Sequence, residues 1–299
     1  MTAARARPTP SGSSLPRVTL TTDFGWGSTY AAAMKGAMLR AAPRLQVVDL
    51  THAIPPQDVR AGALFLESAT PWFPARTLHV AVVDPGVGSA RRILYAEIGD
   101  QCYLAPDNGL ISGLARSRPI RTIRQVSNAD WWLSASPLSA GVSPTFHGRD
   151  IFAPVAARLA TGRSAESLGP EIPWGSGQGE SIEAANSRGA LPAMVRLEWP
   201  ELVVAVGRIT GVVESIDSFG NLITNIGEEQ LADVPRGEAT TITCDEHATQ
   251  GIFRTYADQP AMTLVALVGS TGKLEIAIVD DSAALMLGVR VGTPVTITW

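Results

Sequence analysis

The run L-H-V-A-V-V, from Leu78 to Val83, is apolar except at one position and stops at Asp84-Pro85-Gly86. A continuous apolar run of this length, closed by turn-forming residues, predicts a strand that is buried on both faces. Two comparable segments come before it, at Arg17–Thr22 and Leu45–Leu50. Strands of this kind are typical of a parallel sheet that helices cover on both sides.

Helical patterns alternate with these strands. Residues Tyr30 to Ala42 are rich in alanine and carry Met34 and Met38 at helical spacing, and Asp58 to Ser68 predicts a second helix. We therefore expect an α/β domain with a mostly parallel sheet flanked by helices. Ligands bind beyond the carboxyl ends of the strands in such sheets. Asp23 and Asp84 both fall at such ends.

The second half of the chain has a different pattern. A polar stretch of small residues, from Gly175 to Pro192, is the best candidate for a linker. After it come short β-rich segments with turn residues between them, which predict a small antiparallel barrel or sandwich. These segments are Val203–Ile216, Ala239–Thr243, Thr263–Val268, Leu274–Val279 and Pro294–Thr298. The predicted organisation is a disordered tail at 1–16, an α/β domain at 17–176, a linker at 177–194 and a β domain at 195–299.

Composition limits the functional classes. The 299 residues carry 24 Lys and Arg against 28 Asp and Glu, a formal charge of −4, which argues against a broad nucleic-acid surface. No apolar run reaches the roughly 18 residues of a membrane span. The first sixteen residues lack the apolar core of a secretory signal. Cys102 and Cys244 form no C-x-x-C pair, so we expect reduced thiols in a cytoplasmic protein and no structural zinc site.

The stretch from Ser143 to Pro154, S-P-T-F-H-G-R-D-I-F-A-P, places one imidazole at the predicted start of a helix. The chain has four histidines, and only His147 stands between an aromatic ring and a glycine. On this local pattern alone, His147 is as well explained by a structural role as by a catalytic one.

Four further loops carry polar side chains, and each has a plain interpretation as a turn. The loop D-P-G-V-G-S-A-R would let Asp84 and Arg91 form an ion pair. It lacks the third glycine of a dinucleotide-binding fingerprint and the lysine of a Walker loop, so nucleotide phosphates are not indicated. Asn108 lies in a turn that would face the same crevice as Asp23 and Asp84. The loop D-S-F-G-N, from Asp217 to Asn221, offers a carboxylate, an aromatic face and a carboxamide, and Ser270 lies in a Gly-rich turn.

Taken together, these loops resemble one family. T-D-F-G, V-V-D-P-G-V-G-S-x-R, A-P-D-N-G, T-F-H-G-R-D-I-F-A-P and D-x-F-G-N-x-x-T-N-I occur in this order between about Thr19 and Ala284. The pattern resembles the S-adenosyl-L-methionine (SAM) hydroxide adenosyltransferases, which are adenosine-forming SAM hydrolases related to the fluorinases and chlorinases. Any one motif is weak, whereas five in register are specific.

The resemblance implies an N-terminal α/β domain and a C-terminal β-barrel, assembled as a homotrimer with active sites between neighbouring subunits. It implies that water or hydroxide attacks C5′ of SAM and releases adenosine and L-methionine. It implies no metal and no separate cofactor.

The resemblance also implies roles for individual residues. The catalytic trio would be Asp84, Arg91 and His147. Asp23 would bind the ribose hydroxyls, and Asn108 would lie near the same sugar. Phe146 would line the pocket at the reacting carbon. In the C-terminal half, Asp217 would meet the methionine ammonium group and Ser270 its carboxylate, while Asn221 and Phe219 would lie at the adenine.

Three other functions remain alternatives. A SAM-dependent halogenase is disfavoured, because fluorinases carry tyrosines where this chain has Asp84 and His147, and a carboxylate would repel a halide. A divalent-metal hydrolase would use Asp84, His147 and Asp150, and a SAM or adenosine sensor would bind without turnover. Gln57 stands where fluorinases place a tryptophan near the ribose, so the chain departs from the fluorinase pattern at that position.

Overall fold

The computed structural model describes residues 16–134, 141–173 and 193–299. The chain divides into two compact units, Met1–Leu197 and Glu198–Trp299. Almost all of the predicted tail and almost all of the predicted linker lie outside the described residues. The domain boundaries assigned from the sequence stay a prediction.

The first unit is built on a six-stranded sheet with the order β2-β1-β3-β5-β4-β6. Strands β2, β1, β3 and β5 are parallel neighbours, whereas β4 pairs antiparallel with both β5 and β6. The strands are β1 Arg17–Thr22, β2 Gln46–Thr51, β3 Leu78–Val82, β4 Ile93–Ile98, β5 Gln101–Pro106 and β6 Ile120–Gln125. The helices are α1 Thr29–Ala41, α2 Val59–Ala69 and α3 Ala153–Ala160.

Both faces of this sheet are buried. Val80 packs in a core with Met34 of α1 and Val155 of α3, while Ala81, the next residue, packs in a second core with Leu66 of α2. Alternate residues of one strand thus enter different cores, which is why the strand is apolar throughout. Side chains cap the first turns of α1 and α2. Ser28 accepts from the backbone N–H of Tyr30 in α1, and Asp58 accepts from a backbone N–H in the first turn of α2.

The second unit is an eight-stranded antiparallel sheet around its own core. Its order is β11-β10-β14-β8-β9-β13-β12, with β7 paired to β8. Thr249 of β11 donates to the carbonyl of Leu264 of β12 at 2.8 Å, so the two ends of the order meet and the sheet is nearly closed. The elements are β7 Val203–Ala205, β8 Arg208–Ile216, β9 Leu222–Gly227, β10 Thr241–Cys244, β11 His247–Gln250, β12 Leu264–Val268, β13 Lys273–Ile278, α4 Ala283–Leu287 and β14 Pro294–Thr298.

The predicted fold class is confirmed: an α/β unit is followed by a barrel-like β unit. Strands β4, β5 and β6 of the first unit and strands β9 and β11 of the second were not predicted. The predicted strand Val203–Ile216 is two strands that turn at Val206 and Gly207. Cys102 and Cys244 are both free and buried. Among the described residues, no helix is long and apolar enough to cross a membrane.

Candidate active site

Two of the predicted site carboxylates leave the same edge of the first sheet. Strands β1 and β3 are parallel neighbours, and Thr22 is in register with Val82. Asp23 follows β1 directly, and Asp84 comes two residues after the end of β3. Because the carboxyl ends of parallel strands meet at one edge, these loops lie side by side.

The loop that carries Asp84 folds back on itself and brings Arg91 to it. The backbone N–H of Val87 donates to the carbonyl of Asp84 at 3.2 Å, and the Ser89 hydroxyl donates to the Gly86 carbonyl at 2.7 Å. Arg91 Nε donates to both carboxylate oxygens of Asp84 at 2.9 Å, and Arg91 Nη2 also donates to Oδ2. The two side chains are 10% and 4% exposed, so the predicted ion pair is a nearly buried, multidentate contact rather than a surface salt bridge.

His147 completes the contact group. Its Nδ1 lies 2.9 Å from Arg91 Nη2, the nitrogen that also donates to Asp84. The structure therefore brings Asp84, Arg91 and His147 together, although His147 is 56 residues from Arg91 in the sequence. We call these three residues the trio below.

The contact with Arg91 determines which ring nitrogen of His147 carries the proton. A guanidinium only donates, so Nδ1 must accept, and a neutral ring then carries its proton on Nε2. Burial lowers the pKa of His147, and the charge of Arg91 lowers it further, against the opposing effect of Asp84 and Asp150. The imidazole is therefore held neutral, with an N–H at Nε2.

Two glycines let the segments of the trio approach each other. A Cβ on Gly88 would lie 2.3 Å from the carbonyl oxygen of Pro144, so the Asp84 loop and the His147 loop touch backbone to backbone. A Cβ on Gly148 would lie 3.0 Å from the sulfur of Met34, in α1. Gly148 begins a π-helical turn, Gly148–Phe152, that runs into α3. Such turns are uncommon and often occur at functional sites.

Asp23 is held by a backbone contact that its motif does not reveal. Its Oδ2 accepts from the backbone N–H of Gln57 at 2.8 Å. Gln57 has a φ of 64°, in the left-handed region that is unfavourable for a residue with a Cβ. Gln57 thus orients the carboxylate of Asp23 through its backbone.

Asn108 braces the end of β3. Its amide nitrogen donates to the carbonyl of Val83 at 2.8 Å, and its amide oxygen accepts from the backbone N–H of Leu110 at 3.2 Å. Val83 is the residue before Asp84, so Asn108 fixes the start of the trio's loop. A contact of Asn108 with a sugar stays a prediction.

The predicted site residues of the second unit lie in two turns. Asp217 Oδ1 accepts from the backbone N–H groups of Phe219 and Asn221 at 2.9 Å, and Oδ2 accepts from the Asn221 amide at 3.0 Å. Phe219, between them, is 78% exposed. Ser270 is exposed in the turn between β12 and β13. The first turn is preorganised by its own carboxylate, which leaves the aromatic face of Phe219 open.

Tyr256 and Glu275, which sequence reasoning missed, lie near these turns. Tyr256 donates its hydroxyl to Glu275, and a Cβ on Gly269, beside Ser270, would lie 2.5 Å from Glu275 Oε2. Burial raises the pKa of Glu275, and the charge of Asp217 raises it further, although the hydrogen bond from Tyr256 opposes the shift. Glu275 thus lies between the Ser270 turn and Tyr256, within electrostatic reach of Asp217.

Asp150, the third carboxylate considered for a metal site, has other partners. Its side chain is fully buried, pairs with Arg149 at 2.6 Å and accepts from the backbone N–H of Ser143 at 2.8 Å. Among residues 16–134, 141–173 and 193–299, no three His, Cys, Asp or Glu side chains cluster in a way that could hold a metal ion. Through its hydrogen bond with Ser143, Asp150 instead stabilises the loop that carries His147.

A cavity of about 1110 Å³ lies at the opposite, amino-terminal end of the first sheet. It is lined by the first residues of β1 and β3, Arg17 and Leu78, and by none of the predicted site residues. The trio is therefore not part of this cavity.

Comparison with known proteins matches both units to one family. Residues 18–169 match the model of the SAM hydroxide adenosyltransferase N-terminal domain, and residues 211–296 match that of its C-terminal domain. The chain belongs to the SAM hydroxide adenosyltransferase family. The matched ranges include all ten residues that the resemblance selected.

The similar proteins include hydrolases and, at lower identity, fluorinases. A protein of Salinispora tropica named (R)-S-adenosyl-L-methionine hydrolase is 36% identical over 284 residues, which cover 95% of this chain and 98% of that one. A fluorinase of Actinopolyspora mzabensis is 26% identical over 315 residues, covering 95% and 98%. A solved structure of a conserved Thermotoga maritima protein superposes with a TM-score of 0.81 at 29% identity, covering 94% and 100%.

The family motifs leave out a buried network behind Asp23. His52 Nδ1 lies 2.8 Å from the hydroxyl of Thr22, and Nε2 lies 3.2 Å from Asp49 Oδ1. The carbonyl of His52 accepts from the backbone N–H of Gly25 at 2.7 Å. Sequence reasoning set His52 aside because its neighbours lack an aromatic and a glycine; its position after the second strand was the available signal.

Proposed function

We propose that the protein hydrolyses SAM to adenosine and L-methionine by attack of water on C5′ of the ribose. The observation that carries this proposal is the direct contact of Asp84, Arg91 and His147 at the carboxyl edge of the first sheet. The trio lies in a chain whose similar proteins, 30–37% identical over most of its length, are named (R)-SAM hydrolases.

The reaction needs help with its nucleophile rather than its leaving group. The sulfonium of SAM leaves as a neutral thioether, so the electron pair of the C5′–S bond goes to sulfur without an acid. Water is a weak nucleophile, and it must approach C5′ opposite the sulfur. A group that accepts its proton contributes roughly 10²–10⁴-fold, and a fixed position for the water contributes further.

Within the trio, we assign the proton to Asp84. His147 Nδ1 accepts from Arg91, and Nε2 already carries a hydrogen, so the ring offers a donor to the water oxygen. A carboxylate has about four acceptor positions, and the contacts from Arg91 leave Asp84 able to accept one more proton. Arg91 would stabilise negative charge on the attacking oxygen. The oxygen forms the new C5′–O bond of adenosine as the C5′–S bond breaks.

The remaining predicted residues would bind the substrate. Asp23, oriented by Gln57, matches a ribose diol, and Asp217 matches the methionine ammonium group. Phe146 would wall C5′, Phe219 and Asn221 would contact the adenine, and Ser270 would contact the carboxylate. SAM serves as the substrate, and the proposed reaction uses no separate cofactor. The homotrimer with shared sites and the cytoplasmic location also remain predictions from the sequence.

The names of the similar hydrolases specify the R configuration at sulfur, and we propose the same preference here. Purified protein would be incubated with each sulfonium epimer in H₂¹⁸O, with and without added halide, and the products identified by mass spectrometry. We expect L-methionine and adenosine with one ¹⁸O at the 5′ position, formed faster from the R epimer. Halogenated adenosine would establish the halogenase instead, and unchanged SAM would establish the sensor.

Variants separate chemistry from binding. We expect Arg91→Ala and His147→Ala to abolish most turnover while SAM still binds, and Asp23→Ala to weaken SAM binding. Asp84→Asn keeps the shape of the side chain but removes its acceptor charge, so it should also lose turnover. Adenosine release that is unchanged in the first two variants would refute the trio, and calorimetry with unaltered affinity would refute the role of Asp23.

A further inference from the structure

Three aromatic rings meet next to the trio. The ring centroid of Tyr30 lies 5.7 Å from that of Phe24 and 5.0 Å from that of Phe146, and the last two are 6.2 Å apart. Phe24 and Phe146 also pack against the buried core. Tyr30 is 53% exposed, and its hydroxyl has no hydrogen-bond partner in the part of the chain that the structure describes.

The position of Tyr30 places it between the two halves of the first unit's candidate site. Phe24 follows Asp23 in sequence, and Phe146 precedes His147. Tyr30 lies in the first turn of α1, four residues before Met34, whose sulfur approaches Gly148. Residues four apart share one face of a helix, so Tyr30 and Met34 face the segment that carries His147. An exposed ring therefore stands where the ribose carboxylate and the trio converge.

The charges near this ring decide what it would bind. Arg149 already lies over the Phe146 ring, with 5.2 Å from its guanidinium carbon to the centroid. A second cation at that ring would be repelled by Arg149, whereas Tyr30 has no cation stacked on it among the described residues. An aromatic face attracts a weakly hydrated cation, and the contribution ranges from about 0.5 to 2 kcal/mol as the site loses water.

We propose that Tyr30 presents its ring to the sulfonium of bound SAM and so selects the charged substrate over its neutral thioether analogues. This inference rests on the proposed function, because it places SAM at the trio. Tyr30 is then a substrate-binding residue that neither the motifs nor the trio assigns.

The proposal predicts which kinetic constant depends on Tyr30. Positive charge leaves sulfur as the C5′–S bond breaks, so the ring interacts more strongly with the ground state than with the transition state. Loss of the ring should therefore raise KM without lowering kcat. The product methionine is a neutral thioether, so the same ring would favour its release.

The test compares Tyr30→Leu with Tyr30→Phe. Leucine removes the π face, while phenylalanine keeps it and removes only the hydroxyl. KM and kcat would be measured with SAM, and Kd would be measured by calorimetry with SAM and with the neutral S-adenosyl-L-homocysteine. We expect Tyr30→Leu to weaken SAM binding by about 2- to 30-fold. The Kd for S-adenosyl-L-homocysteine should change less than twofold, and Tyr30→Phe should resemble the unaltered protein.

Trp72→Leu is the matched control, because Trp72 is another exposed aromatic, 83% accessible, at the end of α2. It should leave both affinities unchanged, and circular dichroism would verify folding of each variant. Equal weakening of both ligands in Tyr30→Leu, or no weakening, would overturn the proposal. If the unaltered protein binds SAM but never converts it, the hydrolase function fails while the calorimetric comparison still tests Tyr30.

Discussion

The neutral state of His147 has a measurable consequence. Burial and the Arg91 charge lower its pKa, while Asp84 and Asp150 oppose that shift. We expect the imidazole to stay neutral as pH falls through 6.5, the ordinary value for histidine. Below its lowered pKa, a proton on Nδ1 would break the contact with Arg91. The activity should therefore be level around neutral pH and decline only below 6.5.

Charge-removing variants test the cause of this shift by NMR titration of the His147 ring. Arg91→Gln removes a nearby positive charge, so the pKa of His147 should rise. Asp84→Asn removes a negative charge, so the same pKa should fall. Shifts of the same sign in both variants would contradict the assigned electrostatics, and His147→Gln identifies the resonance.

Gly88 is required by the backbone contact between the two loops of the trio. Its φ is 80°, and a Cβ would lie 2.3 Å from the Pro144 carbonyl oxygen. Gly88→Ala must push the Asp84 loop away from the His147 loop. A displacement of about 1 Å can lower a rate by about 10²-fold, and we expect a fall in kcat of that order.

Gly162→Ala is the control for Gly88→Ala. Gly162 has a φ of 96°, and no atom lies within 4 Å of its hypothetical Cβ. Both variants should lose about 1–2 kcal/mol of stability from the left-handed backbone. Only Gly88→Ala should lose activity, and equal kcat values in the two variants would show that the loop contact is unimportant.

At the scale of elements, the turn between β1 and α1 depends on the network behind Asp23. The hydroxyl of Thr22 accepts from the backbone N–H of Phe24 at 3.2 Å and shares a 2.8 Å hydrogen bond with His52 Nδ1. His52 Nε2 lies 3.2 Å from Asp49 Oδ1, and Lys35 Nζ donates to Asp49 Oδ2 at 2.8 Å. Burial alone would raise the pKa of Asp49, but the hydrogen bonds from Lys35 and His52 outweigh it and lower the pKa.

This network resembles a nucleophile triad in its order of contacts but not in its exposure. Thr22 is fully buried, so its oxygen is inaccessible to a substrate. The network instead positions Asp23. It connects the end of β1 to His52, and the carbonyl of His52 accepts from the backbone N–H of Gly25 in the turn after Asp23. We therefore interpret His52 as a positioning residue.

His52→Gln should loosen Asp23 and raise the Kd for SAM by up to about tenfold, since about 0.5–1.5 kcal/mol of hydrogen bonding is lost. The matched variant is His79→Gln, because His79 Nδ1 makes the same 2.8 Å contact with Thr19, on the same strand. His79 lies away from the Asp23 turn, so its substitution should affect stability and leave the Kd unchanged. Calorimetry with SAM on both variants provides the comparison.

The elements show what sequence patterns can predict. Apolar runs and helical spacing located β1, α1, β2, α2 and β3 within a residue or two at each end, because burial sets those periods locally. The π-helical turn at Gly148 was beyond such reasoning. At its first residue, a Cβ would lie 3.0 Å from the sulfur of Met34 in α1, a contact that no local pattern encodes.

In the candidate site too, contacts within one loop could be predicted from the sequence, whereas contacts between distant segments could not. The Asp84–Arg91 pair was predictable, because both residues lie in one short loop. The contact of Arg91 with His147 and the bond from Gln57 to Asp23 join segments 56 and 34 residues apart. Resemblance to a family predicted that the trio forms a group, and only the structure gave its hydrogen-bond directions.

At the scale of the whole molecule, stability should depend on pH through His79. Its ring is fully buried between Phe73 and Tyr103, with centroids 5.5 and 5.2 Å away. Burial lowers its pKa to about 4, an interaction with the Gln101 side chain opposes the shift, and the charge of Arg118 adds to it. The unfolded chain binds the proton near pH 6.5, whereas the folded chain resists it until about pH 4.

The sign follows from this difference. Above pH 6.5 both states are neutral at His79, and its contribution to stability is complete. As pH falls from 6.5 towards 4, the unfolded state gains a proton that the folded state does not, so the free energy of unfolding decreases by up to about 3 kcal/mol. Urea unfolding at pH 7.5, 5.5 and 4.5 would measure it. His79→Gln removes the titrating ring and should be less stable at pH 7.5 yet show a shallower decline. An equally steep decline in His79→Gln would assign the acid sensitivity to other groups, because the glutamine cannot take up the proton.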